Sequence, residues 1–199
     1  MWKPYLNVIA EQIPQALHVL DRFHIMQNMN VAIDEVRRQE VAQLRRDGYE
    51  PALTRSRWCL LKRPKNLTDN QATRLAELLQ YNLKSVRAHL LREEFQRFWD
   101  YATPAWAEKF LESWCTKALR SRLAPMKKVA KSLRRHKSLI LNWFLALGGI
   151  SSGVVEGLNG NAKLTGRKAH GVRTPRGIEI ALFHPMGNLP EPKISHRFC

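Results

Sequence analysis

With 199 residues the chain is long enough for one domain with a substantial core, or for a domain and a sub-domain. It carries 33 Lys and Arg against 17 Asp and Glu, a formal net charge of +16, and such an excess opposes compaction unless something anionic meets it. Nucleic acid is the favoured partner over an anionic membrane surface, because the longest apolar stretch, residues 139–150, is short, contains Asn142 and cannot span a bilayer.

Residues 6–12 read as a short helix that Pro14 ends. Leu17, Val19 and Leu20 are strand formers, and everything after Asp21 takes on helical periodicity, which places Asp21 at a strand-to-helix junction. A carboxylate there can bind a metal ion, and it can equally cap the following helix. From His24 the apolar positions Met26, Met29, Ile33, Val36 and Leu44 recur at helical spacing, and Asp47-Gly48 supplies the stop. Residues 54–61, Thr-Arg-Ser-Arg-Trp-Cys-Leu-Leu, are a candidate short strand running into a turn-rich segment at 62–67. Thr68 and Gln71 have capping-box spacing, so a helix begins at about Asp69 with Leu75, Leu78 and Leu79 on one face. A second helix carries Leu83, Val86, Leu90, Phe95, Phe98 and Trp99. Thr103-Pro104 opens a third, with Trp106, Phe110 and Trp114 recurring every four residues. These aromatics fall on single faces and are read as core rather than as base-stacking groups.

Pro125 opens a further helix to about Leu147. Between Glu112 and Glu156 there is no acidic residue, while Lys117, Arg120, Arg122, Lys127, Lys128, Lys131, Arg134, Arg135 and Lys137 are all basic. Lys127, Lys128, Lys131 and Arg135 share one face, opposite Met126, Ala130 and Leu133. Solvated faces usually mix signs, so this stripe points to a phosphate-binding surface. Gly148-Gly149 ends the helix, and Ser151-Ser152 can cap the next, on which Glu156, Asn159, Gly160 and Lys163 lie along one side. Gly157 and Gly160 cost helix stability, which suggests close approach by another backbone or by a bulky ligand. Residues 165–177 read as a glycine-rich basic loop with Arg167, Lys168, Arg173 and Arg176, followed by a short segment at 178–183 and an irregular proline-rich end at 185–199.

The N-terminus, Met1-Trp2-Lys3-Pro4-Tyr5, has no apolar signal run, which predicts a cytoplasmic location. Cys59, Cys115 and Cys199 are scattered and odd in number, arguing for reduced thiols, against a disulfide framework and against a paired-cysteine zinc site. His196 and Cys199 have no second pair to complete one.

Asp21 and Glu156 stand out as sequence-distant carboxylates. Enzymes that cut and join DNA with divalent metals need acidic oxygens converging on hard cations, one activating the attacking oxygen and the other stabilising the leaving oxygen. Alternatively, Asp21 is a cap and Glu156 a salt-bridge partner of Lys163 or an arginine. The surrounding motifs add to this. Leu-Asp-Arg-Phe-His-Ile at 20–25, Leu-Lys-Arg-Pro-Lys-Asn-Leu-Thr at 61–68, Ser-Gly-Val-Val-Glu-Gly-Leu-Asn-Gly-Asn-Ala-Lys at 152–163 and Gly-Asn-Leu-Pro-Glu-Pro at 187–192 together resemble the ISL-three family of bacterial insertion-sequence transposases.

The resemblance covers essentially the whole chain. It implies a ribonuclease-H-like (α/β) core carrying an all-helical insertion, so that this chain is mostly α with a small β remnant. Residues 1–48 would be partial core, 49–147 the insertion, and 148–199 the C-terminal catalytic helix and basic tail. Asp21 matches the family's second catalytic acid and Glu156 its third, both ligands of Mg2+ or Mn2+, and His24 matches a histidine following the second acid. The implied activity is metal-dependent cleavage and strand transfer at DNA ends. In the family a first catalytic aspartate directly precedes a segment resembling Met1 to Tyr5, so the chain is expected to lack that ligand, the first three core strands and the amino-terminal zinc-binding and helix-turn-helix regions. Glu11 belongs to a different element and is not expected to replace the missing acid.

The expectation is therefore a carboxy-terminal transposase portion, associated with the nucleoid and inactive alone. Lys127, Lys128, Lys131, Arg134 and Arg135 would hold flanking duplex, and Lys163, Arg167, Lys168 and Arg173 would contact phosphates nearer the carboxylates. Its expected partners are transposon-end and target DNA, further copies of itself, or a full-length transposase. The rival readings are a non-enzymatic basic DNA-binding protein and a trans-acting inhibitor of a full-length transposase. A sheet without its first strands exposes edges and apolar faces, so the N-terminal part is expected to be marginally stable or self-associating.

Overall fold

A computed structural model of the chain describes residues 7–8, 11–15, 17–49, 52–146, 153–168 and 174–186, with the side chains of 153–156 and 184–186 left aside. The chain divides into two compact units, residues 1–150 and 151–199.

The first unit is built around a long helix, α1 (Arg22–Arg46), which buries Ile25, Met26, Met29, Ala32, Ile33 and Val36 along one face. The chain leaves it at Asp47, and Gly48 takes a φ of 77° that a side chain would resist. Next come α2 (Arg57–Leu61), a 3-10 turn (Pro64–Asn66), α3 (Asp69–Leu79), α4 (Lys84–Gln96), a second 3-10 turn (Arg97–Asp100) and α5 (Pro104–Arg120). The unit closes with α6 (Ala124–Arg135) and α7 (Lys137–Leu145). Helix α1 packs against α4 and α6, while α5 packs against α6 and α7. Phe95, Phe98, Trp114, Met29, Ile33 and Met126 are among the largest fully buried side chains. Their aromatic members meet edge-on or offset, with Phe95 to Trp114 at 4.8 Å and Phe98 to Trp99 at 4.9 Å between ring centroids.

The expected α3 start is found intact. Thr68 Oγ1 accepts from Gln71 N at 3.4 Å and Gln71 Oε1 accepts from Thr68 N at 3.3 Å, closing the capping box. Helix α4 has no such device of its own, because its N-cap position is Leu83. Glu40 reaches over from α1 instead, its Oε1 accepting from Lys84 N at 2.6 Å and its Oε2 from Ser85 N at 2.8 Å and Ser85 Oγ at 2.5 Å. A second polar tie joins α4 to α1 and α2: Arg92 donates to Asn30 Oδ1 at 2.8 Å and to the carbonyl of Leu61 at 2.7 Å, and pairs with Glu93 at 2.6 Å.

Several sequence expectations are overturned. No strand occurs among the described residues. Residues 17–20 have no sheet neighbour, and α7 takes their backbone groups: Leu20 N donates to Leu139 O at 3.0 Å, and Asn142 Nδ2 donates to His18 O at 2.7 Å. The second expected strand, at 54–61, is a turn followed by α2. Arg55 sits at φ 57°, which folds the chain back and lets Cys59 and Leu60 bury on one helical turn. The helix expected from Pro125 to Leu147 is two helices, because His136 leaves helical geometry at φ −108°, ψ 25°.

The second unit has α8 (Gly153–Lys168) packed against α9 (Pro175–Met186). The loop expected over 165–177 is shorter than that, since α8 runs through Lys168 and Thr174 Oγ1 accepts from Gly177 N at 3.2 Å at the start of α9. A methyl group added at Gly157 or Gly160 would meet no heavy atom within 4 Å, so the expected close backbone approach is not found. The Ser151-Ser152 cap, Arg173, His196, Cys199 and the segment 187–199 lie outside the described residues.

Candidate nucleic-acid interface and carboxylate positions

Helix α6 separates its chemistry cleanly. Pro125, Met126, Ala130 and Leu133 are buried, while Lys128, Lys131, Arg134 and Arg135 are exposed and Lys127 is half-buried at the edge. Pro125 fixes the start of the helix without giving up a hydrogen bond, because the first-turn N–H groups have no intrahelical partner. Among the described residues the ion pairs engage Arg37, Arg38, Arg57, Arg74, Arg92, Lys117 and Lys137, and none of the α6 cations. Arg134 donates to Thr116 Oγ1 at 2.8 Å, which fixes its base on α5 while the rest of the stripe faces solvent. The expected phosphate-facing residues on this helix are therefore brought together on one surface. Lys137 is not part of it. Glu108 at 2.6 Å and Glu112 at 3.0 Å hold its ammonium, and these hydrogen bonds, Glu108 first, raise its pKa.

Asp21 is the N-cap of α1, with Oδ1 accepting from Phe23 N at 2.7 Å. His24 is exposed, and the Phe23 ring meets its imidazole edge-on at 5.7 Å. Between them Arg22 turns inward, its guanidinium 5.4 Å from the Trp99 ring centre. Burial, then Arg63, pull the Arg22 pKa down, and Asp100 pushes it back up. Arg22 Nε and Trp99 Nε1 are both buried without a hydrogen-bond partner among the described residues.

Glu156 lies on α8 in the second unit, with its side chain outside the described set. Lys163, Arg167 and Lys168 are exposed on the same helix, Lys163 and Arg167 one turn apart. Carboxylate oxygens are the hard donors that Mg2+ and Mn2+ take. Among the described residues no group of three or more His, Cys, Asp or Glu side chains comes together as a metal site. No described helix is long and apolar enough to cross a membrane.

Residues that sequence reasoning passed over also matter. Glu40 and Arg92 carry the polar ties of α4, and their signal, a lone charge on an apolar helix face, was present at the α1 seam. A groove of about 1120 Å3 between α4 and α5 was not expected at all.

Comparison with known proteins decides the family. The profile of the ISL-three DDE family, described as transposase, matches residues 1–181. The chain belongs to the ISL-three family of transposases. The transposase of insertion sequence element IS1001 from Bordetella parapertussis is 37% identical over 175 residues, which cover 87% of this chain and 43% of that protein. The transposase of IS1557 from Mycobacterium tuberculosis (strain ATCC 25618 / H37Rv) is 27% identical over an alignment of 208 residues covering 92% of this chain and 46% of the relative. This ISL-three chain thus spans less than half the length of the curated transposases it matches. No solved structure matches it.

Proposed function

We propose that this chain acts within an insertion-sequence transposase as a duplex-binding portion, gripping DNA phosphates with the outer face of α6. The observation that carries this is the separation of charge on that helix: Lys127, Lys128, Lys131 and Arg135 stand opposite a buried apolar face, with no acid in the chain from Ser113 through Val155. Phosphate contacts fix register and carry no sequence information, so binding is non-specific. In the same reading Lys163, Arg167, Lys168 and Arg173 contact backbone phosphates. By the family resemblance Asp21 and Glu156 would each be an acidic ligand for Mg2+ or Mn2+, and His24 matches the histidine that follows the second acid.

The test is fluorescence anisotropy with a labelled duplex of arbitrary sequence. Neutralising about four or five phosphates gives a slope of log K against log salt near −4, or about 250-fold weaker binding between 50 and 200 mM salt. The double variant Lys127→Glu, Lys131→Glu should shallow that slope by about two. A flat salt response, or an unchanged slope in the double variant, would remove α6 from the interface.

A further inference from the structure

The groove between α4 and α5 is a second charged surface, which meets the α6 stripe where Arg134 donates to Thr116 on its lining. Arg87 and Arg97 line one wall, Lys109, Lys117 and Arg120 the other, and Leu90 lies between them with half of its surface exposed. Two carboxylates also line it, and both are already engaged, Glu94 by Lys117 at 2.7 Å and Glu112 by Lys137 at 3.0 Å. Arg87, Arg97, Lys109 and Arg120 therefore bring positive charge to the groove with no carboxylate partner among the described residues.

The α5 wall has a direction. Positions 106, 109, 113, 117 and 120 follow one stripe of the helix at steps of three and four, so Trp106 continues the wall one turn beyond Lys109. Trp106 is 60% exposed, and the Lys109 ammonium sits 4.7 Å from its ring centre. From Trp106 to Arg120 the stripe runs about 21 Å at about 1.5 Å per residue.

We infer that this groove binds single-stranded nucleic acid. It rests on the nucleic-acid reading above but uses different residues, so the two can fail separately. A duplex buries its base faces and offers phosphates, which match the cations and leave Leu90 and Trp106 with nothing to cover them. A single strand offers both: phosphates for Arg87, Arg97, Lys109 and Arg120, and flat apolar base faces for the leucine floor and for stacking on the indole. Cationic grooves with an aromatic platform are the general solution for binding unpaired strands without sequence preference. Lys109 reinforces the platform, because a cation on one side of an indole leaves the other face open to a base.

The probes are fluorescein-labelled dT16, a 16-base-pair duplex and a labelled poly-glutamate peptide, each titrated against the full chain by anisotropy. Trp106→Ala removes an exposed side chain and should leave thermal unfolding unchanged. It should weaken dT16 binding at least about fivefold while duplex affinity stays within about twofold. Leu90→Glu should do the same, and the Lys127→Glu, Lys131→Glu pair should show the reverse preference. The inference is overturned if Trp106→Ala leaves dT16 affinity unchanged, or if the α6 pair alone abolishes dT16 binding. It is also overturned, in favour of an acidic protein partner, if poly-glutamate binds more tightly than dT16 and is the ligand that Trp106→Ala releases. A parent chain that binds dT16 but not the duplex would count against the α6 reading alone.

Discussion

Glu40 gives the sharpest test of how the first unit holds together. It is only 8% exposed, and its carboxylate accepts from Lys84 N, Ser85 N and Ser85 Oγ at the start of α4. Truncation to alanine leaves two backbone N–H groups and a hydroxyl facing a space that water fills poorly. Hydrogen bonds to a charged group contribute about 1.5–3 kcal/mol each, and removing an N-cap side chain costs about 0.5–2 kcal/mol. The three bonds share one carboxylate and do not add, so the expected loss for Glu40→Ala is about 3 kcal/mol. At about 2–4 °C per kcal/mol for a unit of this size, the melting temperature should fall by about 6–12 °C. Glu40→Gln keeps the shape and one acceptor but turns an amide toward a backbone N–H, and should fall between the two. The assay is thermal and urea unfolding followed by far-ultraviolet circular dichroism. A Glu40→Ala protein melting within about 2 °C of the parent would mean that the α1 to α4 tie does not contribute to stability.

Three further outcomes follow from buried groups. His89 is buried and its Nδ1–H donates to Leu60 O at 2.8 Å; burial, the largest cause, holds its pKa below the ordinary imidazole value. The unfolded chain then binds the extra proton first, so stability should drop as pH falls below about 6.5, by at most about 1.4 kcal/mol per pH unit; His89→Gln should flatten that slope, and an equal slope in both proteins would refute it. Burial also raises Cys59 and pushes Cys115 up to about 11, which leaves about one thiolate in a thousand at pH 8 for Cys115. Mass spectrometry should find both peptides unalkylated by iodoacetamide until denaturant is added, and rapid native labelling would contradict the burial. Asn142→Ala removes the donor that holds His18 O, and at about 1 kcal/mol should speed deuterium exchange at the Leu20 amide severalfold; unchanged exchange would show that Leu139 alone anchors the segment.

The sequence displayed its helices well where a cap and an apolar period agreed. Thr68 with Gln71 located the start of α3, and the spacing from Met26 to Val36 located the core face of α1. The α6 stripe was equally legible, because Met126, Ala130 and Leu133 face the core and the lysines face away. Residues 17–20 were misread because strand propensity reports a half-buried extended segment, not what lies beside it; here the neighbour is α7 and not another strand. Residues 54–61 failed for a different reason, a left-handed Arg55 that no pattern of apolar residues announces. Periodicity also placed Trp106 in the core with Trp114, yet Trp106 sits in the first turn of α5 and is largely exposed. Nor could spacing show the groove, whose walls come from separate helices.

Asp21 was weighed as either a cap or a metal ligand, and the structure establishes the cap. The two roles do not compete. A carboxylate has about four lone-pair sites, and the cap bond from Phe23 N takes one of them, so capping by itself does not exclude a metal. Substitution can pull the roles apart, because asparagine is as good an N-cap as aspartate while lacking its charge. Asp21→Asn should therefore melt within about 1 °C of the parent, whereas Asp21→Ala should cost about 1 kcal/mol, or about 2–4 °C. If Asp21 also contributes to a divalent-cation site, Mn2+ affinity followed by paramagnetic resonance falls in both variants although only one loses stability. Equal Mn2+ affinity in the parent and both variants would leave Asp21 as the cap of α1 and nothing more, and the metal-site part of the transposase reading would fall with it.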